Sequence, residues 1–228
     1  MSTSETPGAA KATLDQNGRP LGPRALLTRR RLMEATVELL DTSSVRDISV
    51  VEIARRAGTS PATFYQYFKD VGEVTLRLAE EAAGEVPTVV ELIGGSWRGQ
   101  KGMETCRAIA DAFVRHWDAY RAVLLVRNLA ADEGERRFQK VRRRSLQPFL
   151  EALAKKIDEC QPELCAAGDV HPYAAAAALA AILERLAAYH KELEPLGVTR
   201  ADLVENCARI MYQTVTGRAA PGRTVAQV

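Results

Sequence analysis

Between Ser60 and Lys69 the chain sets Ala62, Thr63, Tyr65, Gln66 and Tyr67 along two turns of a predicted helix. At roughly 100° per residue, Ala62, Thr63, Gln66 and Tyr67 share one face, and Pro61, Phe64 and Phe68 the other. The second set is apolar and packs down. The first is short or polar and suits the floor of a DNA major groove. Gln66 can donate and accept together, as an adenine edge requires, and Thr63 offers a hydroxyl to a base or a methyl to thymine. Tyr65, between the faces, can reach a phosphate with its hydroxyl. An ordinary helical hairpin with its polar residues in water is the competing reading.

The elements that would hold these side chains are marked by their turns. Ser49-x-x-Glu52 is a capping box opening a short helix, with Ile48 and Ile53 where a hydrophobic staple would sit. Gly58 follows the apolar positions Val50, Ile53, Ala54 and Ala57 and supplies a left-handed stop. Ser60 can cap a second helix with Pro61 at its first position, where a missing N–H is harmless. Two short capped helices with three residues between them have the spacing of a helix-turn-helix. A helix over about Thr28 to Leu40, with the stripe Leu32, Thr36, Leu39 and Leu40, would support them. Asp70-x-x-Glu73 signals a fourth helix through Val74 and Leu78.

Net charge is only +2 over 228 residues, but it is unevenly placed. Arg24 to Lys69 holds eight Lys or Arg against five Asp or Glu, whereas Asp70 to Glu81 holds one against four. The cations Arg24, Arg29, Arg30, Arg31, Arg46, Arg55 and Arg56 gather around the candidate reading helix, as salt-sensitive phosphate contact needs. For any single one of them, a solvated helix face is the plain alternative.

The stretch DISVVEIARRAGTSPATFYQYFKD, with RRRLMEATVELL before it, resembles the DNA-binding half of the TetR family of bacterial transcriptional regulators. The likeness runs over about Arg24 to Leu78 and rests on the IA-x-x-AG core, the TFY-x-YF recognition helix and the basic residue after it. It implies an all-α fold, with an N-terminal three-helix helix-turn-helix DNA-binding domain followed by a larger helical ligand-binding and dimerisation domain. By that match Thr63, Tyr65, Gln66 and Tyr67 carry the recognition contacts and Lys69 a phosphate, with Arg46, Ser60 and Ala62 completing the DNA-binding set. Ala62 stands where family members often have Gly, and Val71 lies near a position where a Lys often anchors phosphate. Losing that Lys should weaken sequence-independent affinity, and Gly72 softens the next helix's first turn.

Residues 1–23 are rich in Gly, Pro, Ser and Thr without periodicity and are expected to be a disordered arm, although Arg19 and Arg24 could reach a minor groove. Residues 24–72 form the expected DNA-binding domain, 73–217 the effector-binding and dimerisation domain, and 218–228 a flexible tail. No apolar run approaches the roughly 18–20 residues of a membrane span, and no secretory h-region is evident, so a cytoplasmic protein is expected. Four cysteines without short paired spacings suit reduced thiols.

From about Gly84 the pattern is helical, five or six helices with breaks at Pro87, Gly94–Gly95, Gly99–Gly102, Gly134, Pro162, Gly168 to Pro172 and Pro195–Gly197. Cys106, Ile109, Ala110, Phe113, Trp117 and Tyr120 recur on one face of a long helix. That stripe reads either as plain core or as the wall of a cavity. Large rings facing an Ala-rich helix (Ala174 to Ala178, Ala180, Ala181) leave gaps, and the TetR resemblance implies an effector pocket among these helices. A small apolar effector would then meet Cys106, Phe113, Trp117 and Tyr120, with Phe149 and Leu183 as further wall. Asn128 either fixes the ligand's polar end or is simply solvated. The densely basic segment Glu135 to Lys156 reads as an amphipathic helix with Arg facing water, kinked or restarted at Pro148, rather than as a second nucleic-acid surface.

The last two helices, about Pro172 to Leu193 and Thr199 to Val215, either make a homodimer or close the monomer's core. The resemblance favours the dimer, with Leu203, Cys207, Ile210, Met211 and Thr214 at its interface. His116, His171 and His190 have no motif-spaced nucleophile or carboxylate, so no enzyme and no cofactor is expected. Glu184, Arg185, His190 and Lys191 read as an exposed helix face. Cys160-x4-Cys165 with His171 is too loose for zinc, so no metal is expected, and thiol redox sensing at Cys106 or the Cys160/Cys165 pair is a minor alternative. Three functions remain open. They are a TetR-like repressor, a homodimer on a pseudo-palindromic operator released by a small effector; an effector-independent DNA-binding dimer governed by abundance or a protein partner; and an interaction or enzymatic protein with a vestigial helix-turn-helix.

Overall fold

Ser49 accepts the Glu52 N–H at 3.2 Å and Ser60 accepts the Thr63 N–H at 3.2 Å, so two seven-residue helices each begin on a satisfied donor. The structure, a computed structural model, describes Gln16 and residues 18–84 and 87–222. Every regular element among them is helical: α1 Pro23–Leu40, α2 Val50–Arg56, α3 Pro61–Tyr67, α4 Val71–Ala83, α5 Pro87–Ile93, α6 Gly99–Asp132, α7 Arg136–Cys160, α8 Pro162–Ala167, α9 Pro172–Tyr189, a 3₁₀ segment His190–Leu196, and α10 Arg200–Thr216. The chain divides into two compact units, Met1–Leu78 and Ala79–Val228, with the division inside α4. No helix of the described residues is long and apolar enough to cross a membrane.

In the first unit α1, α2 and α3 pack on one another around Leu32, Met33, Leu39, Ile48, Ile53 and Phe64. The sharp turn between α2 and α3 passes through Gly58 at φ +67°, where a side chain would be strained. Thr36, fully buried, satisfies its hydroxyl on the Leu32 carbonyl at 2.8 Å. Asp70 accepts the Glu73 N–H at 2.7 Å, and Glu73 reaches back to the Lys69 N–H at 2.7 Å rather than to Asp70 itself. The arm expected to be disordered over 1–23 is otherwise in two places. α1 begins at Pro23, and Gln16 hydrogen-bonds the Gln66 and Tyr67 carbonyls and the Glu73 carboxylate. Residues 1–15 lie outside the described residues.

In the second unit α6 is the central helix, packed on α5, α7, α9 and α10. The break expected over Gly99–Gly102 occurs only at Gly99, with φ +53°, and α6 runs on through Gly102. Gly102 answers a packing need instead. A Cβ there would lie 2.6 Å from the Trp97 carbonyl carbon and 2.8 Å from the Tyr212 ring. Tyr120, at φ −125° and ψ 18°, interrupts α6 and shifts the phase of its second half. α7 carries Pro148 without ending; it buries Phe138, Val141, Ser145 and Phe149 and exposes Arg136, Arg137, Lys140, Arg143 and Arg144. The tail expected over 218–228 is held at least to Gly222, whose carbonyl accepts from Gln100 at 3.1 Å; residues 223–228 lie outside the described residues.

Candidate DNA-reading surface and ligand site

α3 is anchored by Phe64 and Phe68, which are 0% and 1% exposed and meet at 5.5 Å between ring centroids. That anchoring turns Ala62, Tyr65 and Gln66 outward, with Thr63 and Tyr67 half-buried at the edges. Tyr65 is 54% exposed and its ring stands edge-on to Phe64. The Thr63 hydroxyl shares a hydrogen bond with Ser60 at 3.0 Å, which fixes the side chain at the helix start. Lys69 is exposed just past the helix, and Arg46 is exposed in the turn before α2 with its N–H on Ser44 at 3.4 Å.

Thr63 and Tyr67 also line a groove of about 560 Å³ with Arg24, Thr28, Arg31 and Thr59. Two guanidiniums, three threonine hydroxyls and a tyrosine along one open groove suit a phosphate backbone. Thr28 and Thr59 were not legible as site residues, because short polar residues at a helix start and in a turn read as caps. Other cations near this surface are engaged locally. Arg29 stacks over Phe68 at 5.4 Å, Arg30 pairs with Glu34 at 2.9 Å and Arg56 with Glu38 at 3.1 Å.

In the second unit the expected ligand residues separate. Cys106, Phe113, Trp117, Phe149 and Leu183 all enter one hydrophobic core, with Phe113 edge-on to Phe149 at 5.0 Å. Phe113 and Trp117 line a small, partly open void, together with Val89, His116, Leu124, Arg127, Ser145, Leu146 and Glu184. Cys106, Phe149 and Leu183 do not line it and are plain core. Tyr120, at the interruption of α6, is half-buried against the His116 ring at 5.2 Å. The void measures about 20 Å³, room for about one water.

Asn128 does not line this void; the polar groups on its wall are Arg127, Glu184, Ser145 and His116. Asn128 is half-buried and accepts from Arg127 Nε at 3.1 Å, while Arg127 is 2% exposed and also donates to Ser145 at 3.4 Å and to Glu184 at 3.2 Å. Glu184 therefore does not belong to an exposed face as expected. Nor does His190, which is 6% exposed, bonded to the Ala187 carbonyl and 3.5 Å from Asp118. Burial lowers the Arg127 pKa and raises that of Glu184, and their mutual attraction opposes both shifts. Burial, with the Arg127 charge beside it, holds His116 down to about 4, so this ring is neutral near pH 7. Cys106 is pushed up to about 12 by burial, which leaves no thiolate for redox sensing. Among the described residues no three His, Cys, Asp or Glu side chains group as metal ligands.

The expected dimer stripe is also divided. Leu203, Cys207 and Met211 are buried inside the unit, because that face of α10 packs on α6. Ile210 is 40% exposed and Thr214 half-buried. The neighbouring outward face is on α9, where Tyr173, Ala174, Ala177, Ala178 and Ala181 are exposed. Across α6 and α10, Arg107 and Arg209 both hold Glu205, at 2.6 and 2.8 Å, and the Arg107 hydrogen bond leads in pulling its carboxyl below the usual range.

Residues 32–71 match the bacterial regulatory proteins of the tetR family, and residues 89–222 match the tetracyclin repressor-like C-terminal domain. Among solved structures the chain is similar to the fatty acid degradation regulator FadR of Bacillus halodurans, at 15% identity and TM-score 0.60 over 86% of this chain and 97% of that one. FadR of Bacillus subtilis in complex with stearoyl-CoA aligns at 16% identity and TM-score 0.58 over 83% and 98% of the two chains. GusR of Salmonella enterica aligns at 16% identity and TM-score 0.62 over 86% and 97%. These likenesses are of fold. With the second match alone spanning more than half of its length, the chain belongs to the TetR family, whose members are DNA-binding transcriptional regulators rather than enzymes.

Proposed function

We propose that this regulator is a repressor that binds a pseudo-palindromic operator as a homodimer and leaves it when a small molecule occupies the body. The observation that carries the reading is the outward set on α3, Ala62, Tyr65 and Gln66 over the buried Phe64 and Phe68, beside a groove bearing Arg24 and Arg31. A single seven-residue reading helix spans too few base pairs to select a genomic site. Two copies related by a two-fold axis would read half-sites about 34–36 Å apart. The exposed alanines of α9 and Ile210 of α10 are the surface on which a partner copy would close-pack, in place of the buried Leu203, Cys207 and Met211. The domain limits follow the same reading, with DNA contact in 24–72 and effector binding and dimerisation in 73–217.

The void under Phe113 and Trp117 is the effector site in this reading. It is supported by the convergence of Arg127, Glu184, Ser145 and His116 on an otherwise apolar wall. Bacillus subtilis FadR, of the same fold, was solved in complex with stearoyl-CoA, so a protein of this fold can take an acyl compound. An effector shifts the equilibrium only by its preference for the DNA-free form, a few kcal/mol for a useful switch. A second reading, an effector-independent dimer, is favoured by the void's size of about 20 Å³. Selection of bound fragments from genomic DNA, followed by a small-molecule screen for release, separates the two. Symmetric fragments released by a compound support the repressor, while symmetric fragments that nothing releases support the second reading.

A further inference from the structure

Leu146 faces two spaces. It lines the inner void with Phe113, Trp117, Arg127 and Glu184, and it lines an open groove of about 590 Å³ on α7 with Arg142 and Arg143. One half-buried leucine thus stands between solvent and a buried guanidinium. Arg142, on the groove side, also acts electrostatically on both Arg127 and Glu184, and its own partner Asp132 is well exposed at 2.8 Å. Two guanidiniums therefore bear on this space against one half-buried carboxylate.

The Arg127–Glu184 contact is replaceable. It is a single-point contact, Nη2 to Oε1 at 3.2 Å, whereas good charge-assisted bonds are shorter, and a guanidinium fork prefers two parallel ones. The Glu184 side chain is 21% exposed and has a path to water, but Arg127 at 3% has none. An incoming group must therefore satisfy Arg127, while Glu184 can leave. A cation would face Arg127 and Arg142 together. A neutral apolar molecule would fill space without answering the polar wall. We propose that the site takes a small apolar monocarboxylate, whose carboxylate passes Leu146 and takes the place of Glu184 on Arg127 while its tail, too large for a void of about 20 Å³, lies along Leu146 and Leu150 in the outer groove. The inference rests on the effector-released reading above and names the ligand class for it. It also supplies a transmission step. Arg127 ties α6 to α9 through Glu184 and to α7 through Ser145, so the exchange unties α9 alone.

The test uses the full chain with octanoate, 1-octanol and octylammonium below their aggregation limits, followed by calorimetry and by tryptophan fluorescence. Octanoate is expected to saturate the site, 1-octanol to bind at least tenfold more weakly, and octylammonium not to saturate. Glu184→Gln should tighten octanoate severalfold by removing the competing charge, and R127M/E184L should abolish the preference for octanoate over octanol, with folding checked by thermal midpoint. Leu146→Trp should slow octanoate association at least tenfold; an unchanged rate overturns the entry route. Equal binding of octanoate and octanol, or a preference kept in R127M/E184L, overturns the carboxylate assignment. So does release of the operator by some other compound while octanoate fails to bind. Octanoate bound with the expected preferences but without effect on operator affinity upholds the site and refutes the release reading instead.

Discussion

Glu184→Leu strands a guanidinium in the core. Arg127 is 2% exposed, and after the substitution it would keep only Ser145 and Asn128 as acceptors. Breaking a buried ion pair from one side typically costs about 3–5 kcal/mol. The two neutral acceptors that remain put this case near the low end, at about 3 kcal/mol. Arg127→Met should cost less, about 1–2 kcal/mol, because Glu184 is 21% exposed and burial already holds its carboxyl above the usual range. It can turn to water or take up a proton, and Arg127 can do neither. Replacing both residues, R127M/E184L, removes two desolvated charges together and is expected to lie within about 1 kcal/mol of the parent. Urea unfolding followed by tryptophan fluorescence reads this directly, since Trp97 and Trp117 are both buried in the second unit. The predicted order of loss is E184L, then R127M, then the double variant. Equal losses in the two single variants, or a double variant as unstable as E184L, would show that the loss does not come from a stranded Arg127 charge.

Other predictions follow from local geometry. Gly102→Ala should destabilise the body by about 1–3 kcal/mol in the same urea assay, because its Cβ meets the Trp97 backbone and the Tyr212 ring. His116 is held near 4 in the folded chain against about 6.5 when unfolded, so between those values the unfolded chain binds a proton that the folded one refuses. Stability should therefore fall as pH drops from about 6.5 towards 4, by about 2–3 kcal/mol after allowance for partial exposure, and unfolding curves of His116→Gln should lose that slope. Gln16→Ala removes the side-chain bonds to Tyr67 and Glu73, and fluorescence anisotropy with labelled DNA should read a severalfold loss of affinity.

The reading head was legible because its signals are local. Ser49, Gly58, Ser60 and Pro61 each act within a few residues, and all four stand where capping rules put them. The body was legible in its helices but not in its facings. Leu203, Cys207 and Met211 are an apolar stripe whether they meet a second copy or α6, and periodicity cannot choose between the two. Arg127 is not legible in the sequence because a lone Arg in an apolar run reads as a residue that reaches water, and the interruption at Tyr120 alters which residues turn inward beyond it. Its partner Glu184 lies 57 residues on, and only the packing of α6 on α9 brings the two together. Gln16 was invisible for a similar reason, since its partners Tyr67 and Glu73 lie more than fifty residues away.

Binding of the full chain to a selected genomic fragment and to random DNA, at two salt concentrations, with Gln66→Ala beside the parent, tests whether α3 reads DNA through Gln66 while the cationic groove holds phosphate. Affinity should fall steeply with salt on both DNAs. Gln66→Ala should lose about 1–3 kcal/mol on the selected fragment and little on random DNA. Binding insensitive to salt would rule out the phosphate groove, and an equal loss on both DNAs would rule out base reading by Gln66.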